Sequence, residues 1–226
     1  HVSIDKKTTD NSRAVAAQHG AALYEHEFVN NSWADTRNGV MEQVEAASEA
    51  GWFAWLDADE WWLEGTDLLP AALRMAAEQD VQGVGVLLQD HEPTSGAPAG
   101  RWPNVKILRR GTRYQRRRHE VVPASCTRIQ ANEIVIGHRK GQRPEVIAAN
   151  EALKADLSAL LEDFGEFGDR RSAYYVADGF VKSGDLQSAV AWYERGLTLP
   201  PNQAGMEQLL RDGLAACYRS LGQVAK

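Results

Sequence analysis

The segment Trp52–Trp62 reads WFAWLDADEWW, and it joins an apolar run to three carboxylates that lie within four positions. The apolar run, Trp52 to Leu56, predicts a compact buried strand, and the acidic cluster begins where that strand stops. Carboxylates this close repel one another, and partial burial among tryptophans raises the cost of each negative charge. We therefore expect a positive group to lie against Asp57, Asp59 and Glu60.

Two strand–helix pairs precede this segment. The patterns predict a strand ending at Asp5, a helix from Asp10 to about His19, a second strand in AALYEHEF, and a helix from Ser32 to about Glu49. The order of strand, helix, strand, helix and strand predicts an α/β fold with an open sheet. In such sheets ligands bind beyond the carboxyl ends of the strands, where Asp5 and Asp57 fall.

The chain after this segment continues with alternating elements. The patterns predict a helix over Asp67–Gln79, a strand in GVGVLL, a Pro- and Gly-rich loop over Asp90–Gly100, a strand in NVKILRR, and a last strand in NEIVIGHRKG. We expect the loop to be mobile and close to a site.

From Pro144 onward helical patterns dominate, which predicts a domain over residues 1–142 and a helical region over residues 143–226. Helices are expected at Pro144 to about Phe164, Asp169–Lys182, Asp185–Leu197 and Gln203–Leu221. Two glycines that follow similar motifs, Gly184 and Gly222, are 222 − 184 = 38 residues apart, against about 34 for a tetratricopeptide repeat. We expect tetratricopeptide-like helices; two packed helical hairpins are the alternative.

The bulk composition is that of a globular protein. The chain has 226 residues, 43% of them hydrophobic and 25% charged, with a net charge of −6. The negative balance argues against non-specific nucleic-acid binding by the chain as a whole. No apolar run approaches the ~20 residues of a membrane span. Cys126 and Cys217 are far apart and in no metal-ligand spacing, so we expect a cytoplasmic protein without a disulfide framework.

The Asp57-x-Asp59 pair at a strand end suits a divalent cation. Carboxylate oxygens bind Mg²⁺ or Mn²⁺, and the cation can neutralise a diphosphate and stabilise a departing phosphate oxygen. The alternative is a solvated acidic turn. The flanking tryptophans argue against a freely solvated surface, although Trp61, Trp62 and Trp102 could also stack on sugar faces rather than belong to the core.

Several stretches together resemble the nucleotide-binding half of family 2 glycosyltransferases with the GT-A fold. These are the stretch from IDKKTTDNS to RNGVMEQ, then GWFAWLDADE, NVKILRRGTRYQRRRHE and IVIGH; the helices follow in SAYYVADGFVKSGDLQSAVAWYERGL. The resemblance covers nearly the whole chain, and the nearest relatives would be bacterial or phage enzymes that join this domain to tetratricopeptide-like helices. The family's first strand and helix would precede His1, so we expect an N-terminally truncated domain.

The resemblance implies a role for each matching position on the nucleotide side. Asp5 would contact the base or ribose, Arg37 in DTRN would lie near the donor, and Asp57 would face the ribose and the metal. Relatives have a small Gly-containing turn after the first aspartate, where this chain has Lys6 and Lys7.

The resemblance also implies the metal ligands and the base. Asp59 would be the principal carboxylate ligand, with Asp57 and His138 completing the site. Glu120, in RHE, would be the general base. An imidazole ligand tilts the expected metal from Mg²⁺ towards Mn²⁺. Without the resemblance, His138 would be interpreted as a strand-end histidine bonded to the backbone.

The resulting expectation is a metal-dependent, inverting hexosyltransferase-type enzyme that uses a nucleotide-diphosphate sugar, most simply a UDP-sugar. The class of acceptor is left open and includes protein, peptide, glycan and modified nucleic acid. The chain could also associate with copies of itself through the helical region. One alternative is a degenerate, non-catalytic transferase domain that binds a ligand or protein. Another is a metal enzyme acting on nucleic acid, suggested by the basic segment Arg109–Arg118, which could equally be a solvated face or a diphosphate or anionic-acceptor site.

Overall fold

The computed structural model describes residues 1–139, 148, 151–201, 203 and 205–222. The chain forms two compact units. The first contains His1–Asn30, Ala34–Gln115 and the described part of Glu120–Ile147; the second contains Asn31–Trp33, Arg116–His119 and the described part of Ala148–Lys226. The expected domain boundary between residues 142 and 143 lies outside the described residues.

The first unit is a mixed α/β structure. Its strands are β1 (Val2–Asp5), β2 (Leu23–His26), β3 (Trp52–Ala54), β4 (Glu60–Glu64), β5 (Gly83–His91), β6 (Pro98–Arg109) and β7 (Arg128–His138). Its helices are α1 (Ser12–Gln18), α2 (Trp33–Ala47, whose first residue belongs to the second unit) and α3 (Leu69–Glu78), the last preceded by a 3₁₀ turn at Thr66–Leu68.

The strands form two sheets rather than the one open sheet that the strand–helix alternation predicts. Strands β1 and β2 pair in parallel, as expected for strands joined by a helix. Strand β3 instead pairs antiparallel with β6, in a curled five-stranded sheet of order β3-β6-β5-β7-β4. The prediction was wrong here because the long β5–β6 hairpin supplies an edge with which the three-residue β3 pairs.

Two local predictions were only partly right. The predicted loop Asp90–Gly100 is confined to residues 92–97, because the β5–β6 ladder continues to the pair His91–Pro98. The acidic cluster does follow β3, but its last member, Glu60, begins β4, which pairs with β7. In both places the strand character comes from pairing with a distant strand and not from an apolar pattern.

The core of the five-stranded sheet lies against α3. Val84, Val86, Ile134 and Ile136 are fully buried and cluster with Ala76 of the helix. Trp52, Trp62 and Trp102 pack against this cluster, which makes them core residues. The outer ends of β5 and β7 extend beyond this core and carry the polar residues described below.

The second unit consists of helices α4 (Leu157–Phe167), α5 (Arg170–Ser183), α6 (Leu186–Thr198) and α7 (Met206–Ser220). The one helix expected from Pro144 to Phe164 lies partly outside the described residues, and its described part is interrupted at Asp156, whose side chain caps α4. Asp169 and Asp185 cap α5 and α6. Gly184 and Gly222 both have the left-handed backbone of helix ends. None of the described helices is long and apolar enough to cross a bilayer.

Most of the basic segment is internal structure of the two units. Arg118 is fully buried and donates to the backbone oxygen of Asn31 at 2.6 Å. Arg116 pairs with Asp169 at 2.6 Å, and Arg117 with carboxylates of α4. In the first unit Arg113 pairs with Glu45 at 2.7 Å. These arginines therefore form neither a solvated basic face nor a ready nucleic-acid patch.

Candidate functional site

The register of three adjacent strands brings Asp59, His138 and Asp90 into one row. Glu60 of β4 lies opposite His138 of β7, and His138 lies opposite Asp90 of β5. Asp59 directly precedes Glu60, and its backbone oxygen accepts a hydrogen bond from Arg139 N–H at 3.0 Å. The row therefore follows from backbone pairing at one end of the sheet, which gives these three side chains fixed positions.

His138 lies between the two aspartates. Its Nδ1 is 2.5 Å from Asp90 Oδ1, and its Nε2 is 3.5 Å from Asp59 Oδ2. Only 17% of the imidazole side chain is exposed. Hydrogen bonding to Asp59, and then to Asp90, outweighs partial burial and raises the pKa of His138 to about 9. In the absence of another positive group, the row thus holds an imidazolium between two carboxylates.

A second group is centred on Arg37, in α2. Its Nη2 is 2.9 Å from Asp57 Oδ1 and 2.8 Å from Glu120 Oε1, so one guanidinium bridges the two carboxylates. The rings of Trp55 and Tyr114 lie 4.8 and 5.6 Å from the guanidinium carbon. The Nε atom of Arg37 is buried and has no hydrogen-bond partner among the residues that the structure describes.

The electrostatics of this group keep the charges in place. Burial disfavours the charged form of Arg37, but the neighbouring Glu120 and Asp57 outweigh it and raise the pKa of the guanidinium. Burial likewise opposes ionisation of Asp57, yet Arg37 and then Lys106 hold the pKa of this carboxyl well below its usual range. Trp55 Nε1 also donates to Asp57 Oδ1 at 2.9 Å. Asp57 is therefore a carboxylate.

Lys106 joins Asp57 to Glu60. It lies where the β5–β6 register shifts between Val84 and Gly85, a bulge that can redirect a side chain. Its Nζ donates to the two carboxylate oxygens of Glu60 at 2.6 and 2.7 Å and to Asp57 Oδ2 at 3.3 Å. Lys106 and Glu60 side chains are 7% and 3% exposed. The positive group expected beside the acidic cluster is thus supplied, at least in part, by Lys106 and Arg37.

The structure distributes the predicted site residues over three places. Asp59 and His138 are together; Arg37, Asp57 and Glu120 are together. Asp5 lies at the end of β1, where its side chain accepts the Lys7 N–H at 2.7 Å. Within the described part of the chain, Asp5 makes no hydrogen bond or ion pair with the other five.

The three expected metal ligands are also divided between these groups. Among the described residues, no group of three or more His, Cys, Asp or Glu side chains is arranged to hold a metal ion. Two of the three expected ligands, Asp59 and His138, nevertheless face each other. Both oxygens of Asp57, the third, are occupied by Arg37, Trp55 and Lys106. Asp57 as a metal ligand stays a prediction.

Several members of these groups were not predicted from the sequence. Asp90 fell in the predicted mobile loop, although it belongs to β5, whose apolar part is GVGVLL. Lys106 stands alone between Val105 and Ile107, and a lone lysine in an apolar strand indicates a buried anionic partner. Tyr114, 8% exposed, carried no signal that linked it to Arg37.

A cleft of about 670 Å³ in the first unit borders the group around Arg37 through Tyr114 and is lined by residues that include Arg109, Arg110, Tyr114 and Cys126. None of the predicted site residues lines it. Arg109 pairs with Asp80, and Arg110 donates to backbone oxygens of Glu45 and Ser48. The polar row of β4, β7 and β5, together with the group around Arg37, therefore remains the stronger candidate for chemistry.

Comparison with known proteins adds no family to this geometry. No protein-family model matches the chain, and no curated protein matches it. The resemblance to family 2 glycosyltransferases thus rests on the motifs quoted above, and membership of that family stays a prediction. The chain is a mixed α/β protein with a helical C-terminal unit and a charged, partly buried candidate site at strand ends.

Proposed function

We propose that the chain is a metal-dependent, inverting glycosyltransferase of the GT-A type, with tetratricopeptide-like C-terminal helices. It would transfer a hexose from a nucleotide-diphosphate sugar, with UDP-sugars the first donors to test, to an acceptor whose class stays open. The observation that carries the proposal is the pairing of Asp59 with His138 at a strand end, two residues from the partly exposed carboxylate Asp57. The motif order along the chain is the second support.

Asp59 and His138 fit the first coordination shell of a divalent cation. Their facing atoms are 3.5 Å apart, which is less than twice the ~2.1 Å at which such cations meet oxygen or nitrogen ligands. Both atoms can therefore reach one ion, and a mixed nitrogen and oxygen donor set favours Mn²⁺ over Mg²⁺. When bound, the cation would supply Lewis-acid stabilisation of the diphosphate oxygen that leaves the sugar.

The other residues of the site would bind, orient and move a proton. Asp57, whose side chain is 36% exposed, would accept hydrogen bonds from a ribose in addition to those from Arg37, Trp55 and Lys106. Glu120 would take the proton of the acceptor hydroxyl while the new bond forms at the anomeric carbon and the bond to the diphosphate breaks. Arg37 would hold Glu120 through Oε1.

A non-catalytic binding module is the second candidate. The observation in its favour is that Arg37 and Lys106 already neutralise Asp57, and Arg37 also pairs with Glu120. A degenerate site of this kind needs no cation to balance these two carboxylates. Such a domain would bind a ligand or a protein without turnover.

Thermal unfolding with a panel of nucleoside diphosphates and their sugars, each with and without Mn²⁺, tests the proposal. We expect stabilisation that requires both the nucleotide and the metal and that disappears in Asp59→Asn. Glu64→Gln, which changes an exposed carboxylate of β4, the strand that Asp59 directly precedes, is the matched control and should behave as the wild type. Stabilisation by a nucleotide without metal dependence would favour the binding module. No response to any nucleotide would overturn the transferase proposal.

A further inference from the structure

Asp90 is the residue of the polar row to which the proposed function gives no role. It lies two residues after the apolar part of β5, which ends at Leu88, and the parallel register places it directly opposite His138. Its Oδ1 lies 2.5 Å from His138 Nδ1, a full ångström less than the distance from His138 Nε2 to Asp59. The side chains of Asp90 and His138 are 32% and 17% exposed, so the bond is only partly open to water.

The two ring nitrogens of His138 therefore have different partners. Nδ1 faces Asp90, and Nε2 faces Asp59 at 3.5 Å. A hydrogen bond at one imidazole nitrogen decides which nitrogen keeps the proton when the ring is neutral. With the proton on Nδ1, the lone pair of Nε2 is directed at Asp59. A carboxylate as the acceptor also increases the basicity of the ring as a ligand.

We propose that Asp90 is a positioning residue, which accepts the Nδ1–H of His138 and thereby presents Nε2, together with Asp59, to a divalent cation. The inference rests on the proposed function, since it takes Asp59 and His138 as the metal ligands. Asp90 is not itself a ligand of the same ion in this arrangement, because Nδ1 and Nε2 point to different sides of the ring.

The backbone accounts for the precision of this contact. Asp90 and His138 are held by consecutive register pairs, Leu88–Ile136, Gln89–Gly137 and Asp90–His138. Leu88 is only 5% exposed and Ile136 is fully buried, so the two strands are packed into the core just before the polar pair. A side-chain acceptor on a rigid strand fixes the rotation of the imidazole more precisely than a residue of a loop would.

Titration of the full chain with Mn²⁺ alone, followed by the EPR signal of the free ion, tests the inference. We expect Asp90→Ala to raise the Kd for Mn²⁺ by about 10–100-fold, the range seen when such outer partners of metal ligands are removed. Asp90→Asn retains an acceptor oxygen and should recover most of this loss. Asp59→Asn should weaken binding at least as much as Asp90→Ala. Asp80→Ala, which removes an aspartate that is 86% exposed, is the control and should leave the Kd unchanged.

The outcomes separate this inference from the proposed function. If the wild type binds Mn²⁺ and Asp59→Asn does not, an unchanged Kd in Asp90→Ala overturns the role of Asp90 alone. Equal losses in Asp90→Ala and Asp90→Asn also overturn it, because the asparagine retains the acceptor. If the wild type binds no Mn²⁺, the metal site and this inference both fail.

A measurement on the wild type covers the case in which Asp90→Ala does not fold. Nitrogen-15 NMR of the imidazole of His138 with saturating Mg²⁺, which is diamagnetic, reports which ring nitrogen carries the proton. We expect the proton on Nδ1. A ring protonated on Nε2 in the loaded protein would overturn the inference.

Discussion

Replacing Lys106 with methionine tests whether the acidic cluster depends on a buried cation from the chain itself. Lys106 donates to both oxygens of Glu60, at 2.6 and 2.7 Å, and the Glu60 side chain is only 3% exposed. Methionine keeps most of the volume but removes the ammonium, which leaves the Glu60 carboxylate buried without its partner. Breaking a buried pair in this way costs about 3–5 kcal/mol in the free energy of unfolding.

The double variant Lys106→Met/Glu60→Gln separates the ion pair from packing. The glutamine removes the stranded charge, and its amide oxygen can still accept the Asp57 N–H that Glu60 accepts at 2.9 Å. We expect the double variant to recover about 2 kcal/mol relative to Lys106→Met, which is a coupling in the range measured for contacting residues. Asp57 loses one donor in both variants but keeps Arg37.

Urea unfolding followed by tryptophan fluorescence is a suitable assay, because five of the seven tryptophans lie in the first unit. The control is Lys6→Met, which removes an exposed lysine paired with Glu27, the two side chains being 52% and 64% exposed. Its cost should be below about 1 kcal/mol. A loss below 1 kcal/mol in Lys106→Met, or a double variant as unstable as the sum of both single variants, would refute the reasoning.

Three further predictions concern protonation and the helical unit. In the metal-free protein His138 should titrate near pH 9, as measured by NMR. Its contribution to the free energy of unfolding is therefore complete below about pH 6.5 and is lost as the pH rises through 9. A titration midpoint near pH 6.5 would contradict the contacts with Asp59 and Asp90. Burial, and then the nearby Arg171, hold the pKa of His119 at about 3, so the free energy of unfolding should fall as the pH drops below 6.5. His119→Phe should therefore reduce the difference in stability between pH 7 and pH 5, measured by urea unfolding. The same difference in the variant and the wild type would argue against a neutral His119. Asp163 is 3% exposed and accepts a hydrogen bond from the backbone N–H of Arg117 at 2.8 Å. Asp163→Asn should therefore lower the free energy of unfolding in urea by about 2–3 kcal/mol, and Glu166→Gln on the same helix should lower it by less than about 1 kcal/mol. Equal losses in the two variants would refute the structural role of Asp163.

The sequence predicted the parts of the site that depend on local pattern. The apolar run WFAWL and the acids after it placed Asp57 and Asp59 beyond a strand, and IVIGH placed His138 at the end of another. Both placements agree with the ends of β3 and β7. The local pattern does not show which strands are neighbours. Asp59 lies beside His138 because β4 pairs with β7.

The missed residues depend on long-range pairing. Asp90 belongs to β5 because β7 pairs with it directly and β6 pairs with Gln89 and His91 on either side of it. Gln89 and His91 are polar, so this stretch resembles a loop in the sequence. Lys106 reaches Glu60, 46 positions earlier in the chain, through a bulge that no local pattern encodes. A lysine inside an apolar strand is the one signal that could have indicated this pair.

The basic segment shows the same limit. The six arginines from Arg109 to Arg118 suggested a binding site for phosphate or nucleic acid. The carboxylates that bind Arg116 and Arg117 lie in α4 and at the start of α5, about 50 positions later. A charge count within one segment cannot reveal partners at that distance, so ion pairs inside the fold were indistinguishable from a binding surface.

The central claim, that Asp59 and His138 together bind a cation that receives a nucleotide diphosphate, is tested most directly by isothermal titration. UDP is titrated into the full chain in the presence of Mn²⁺ and, separately, of EDTA, with the wild type and with His138→Ala. We expect binding with Mn²⁺, none with EDTA, and a loss of at least tenfold in affinity in His138→Ala. Binding of equal strength in EDTA, or in His138→Ala, would contradict it.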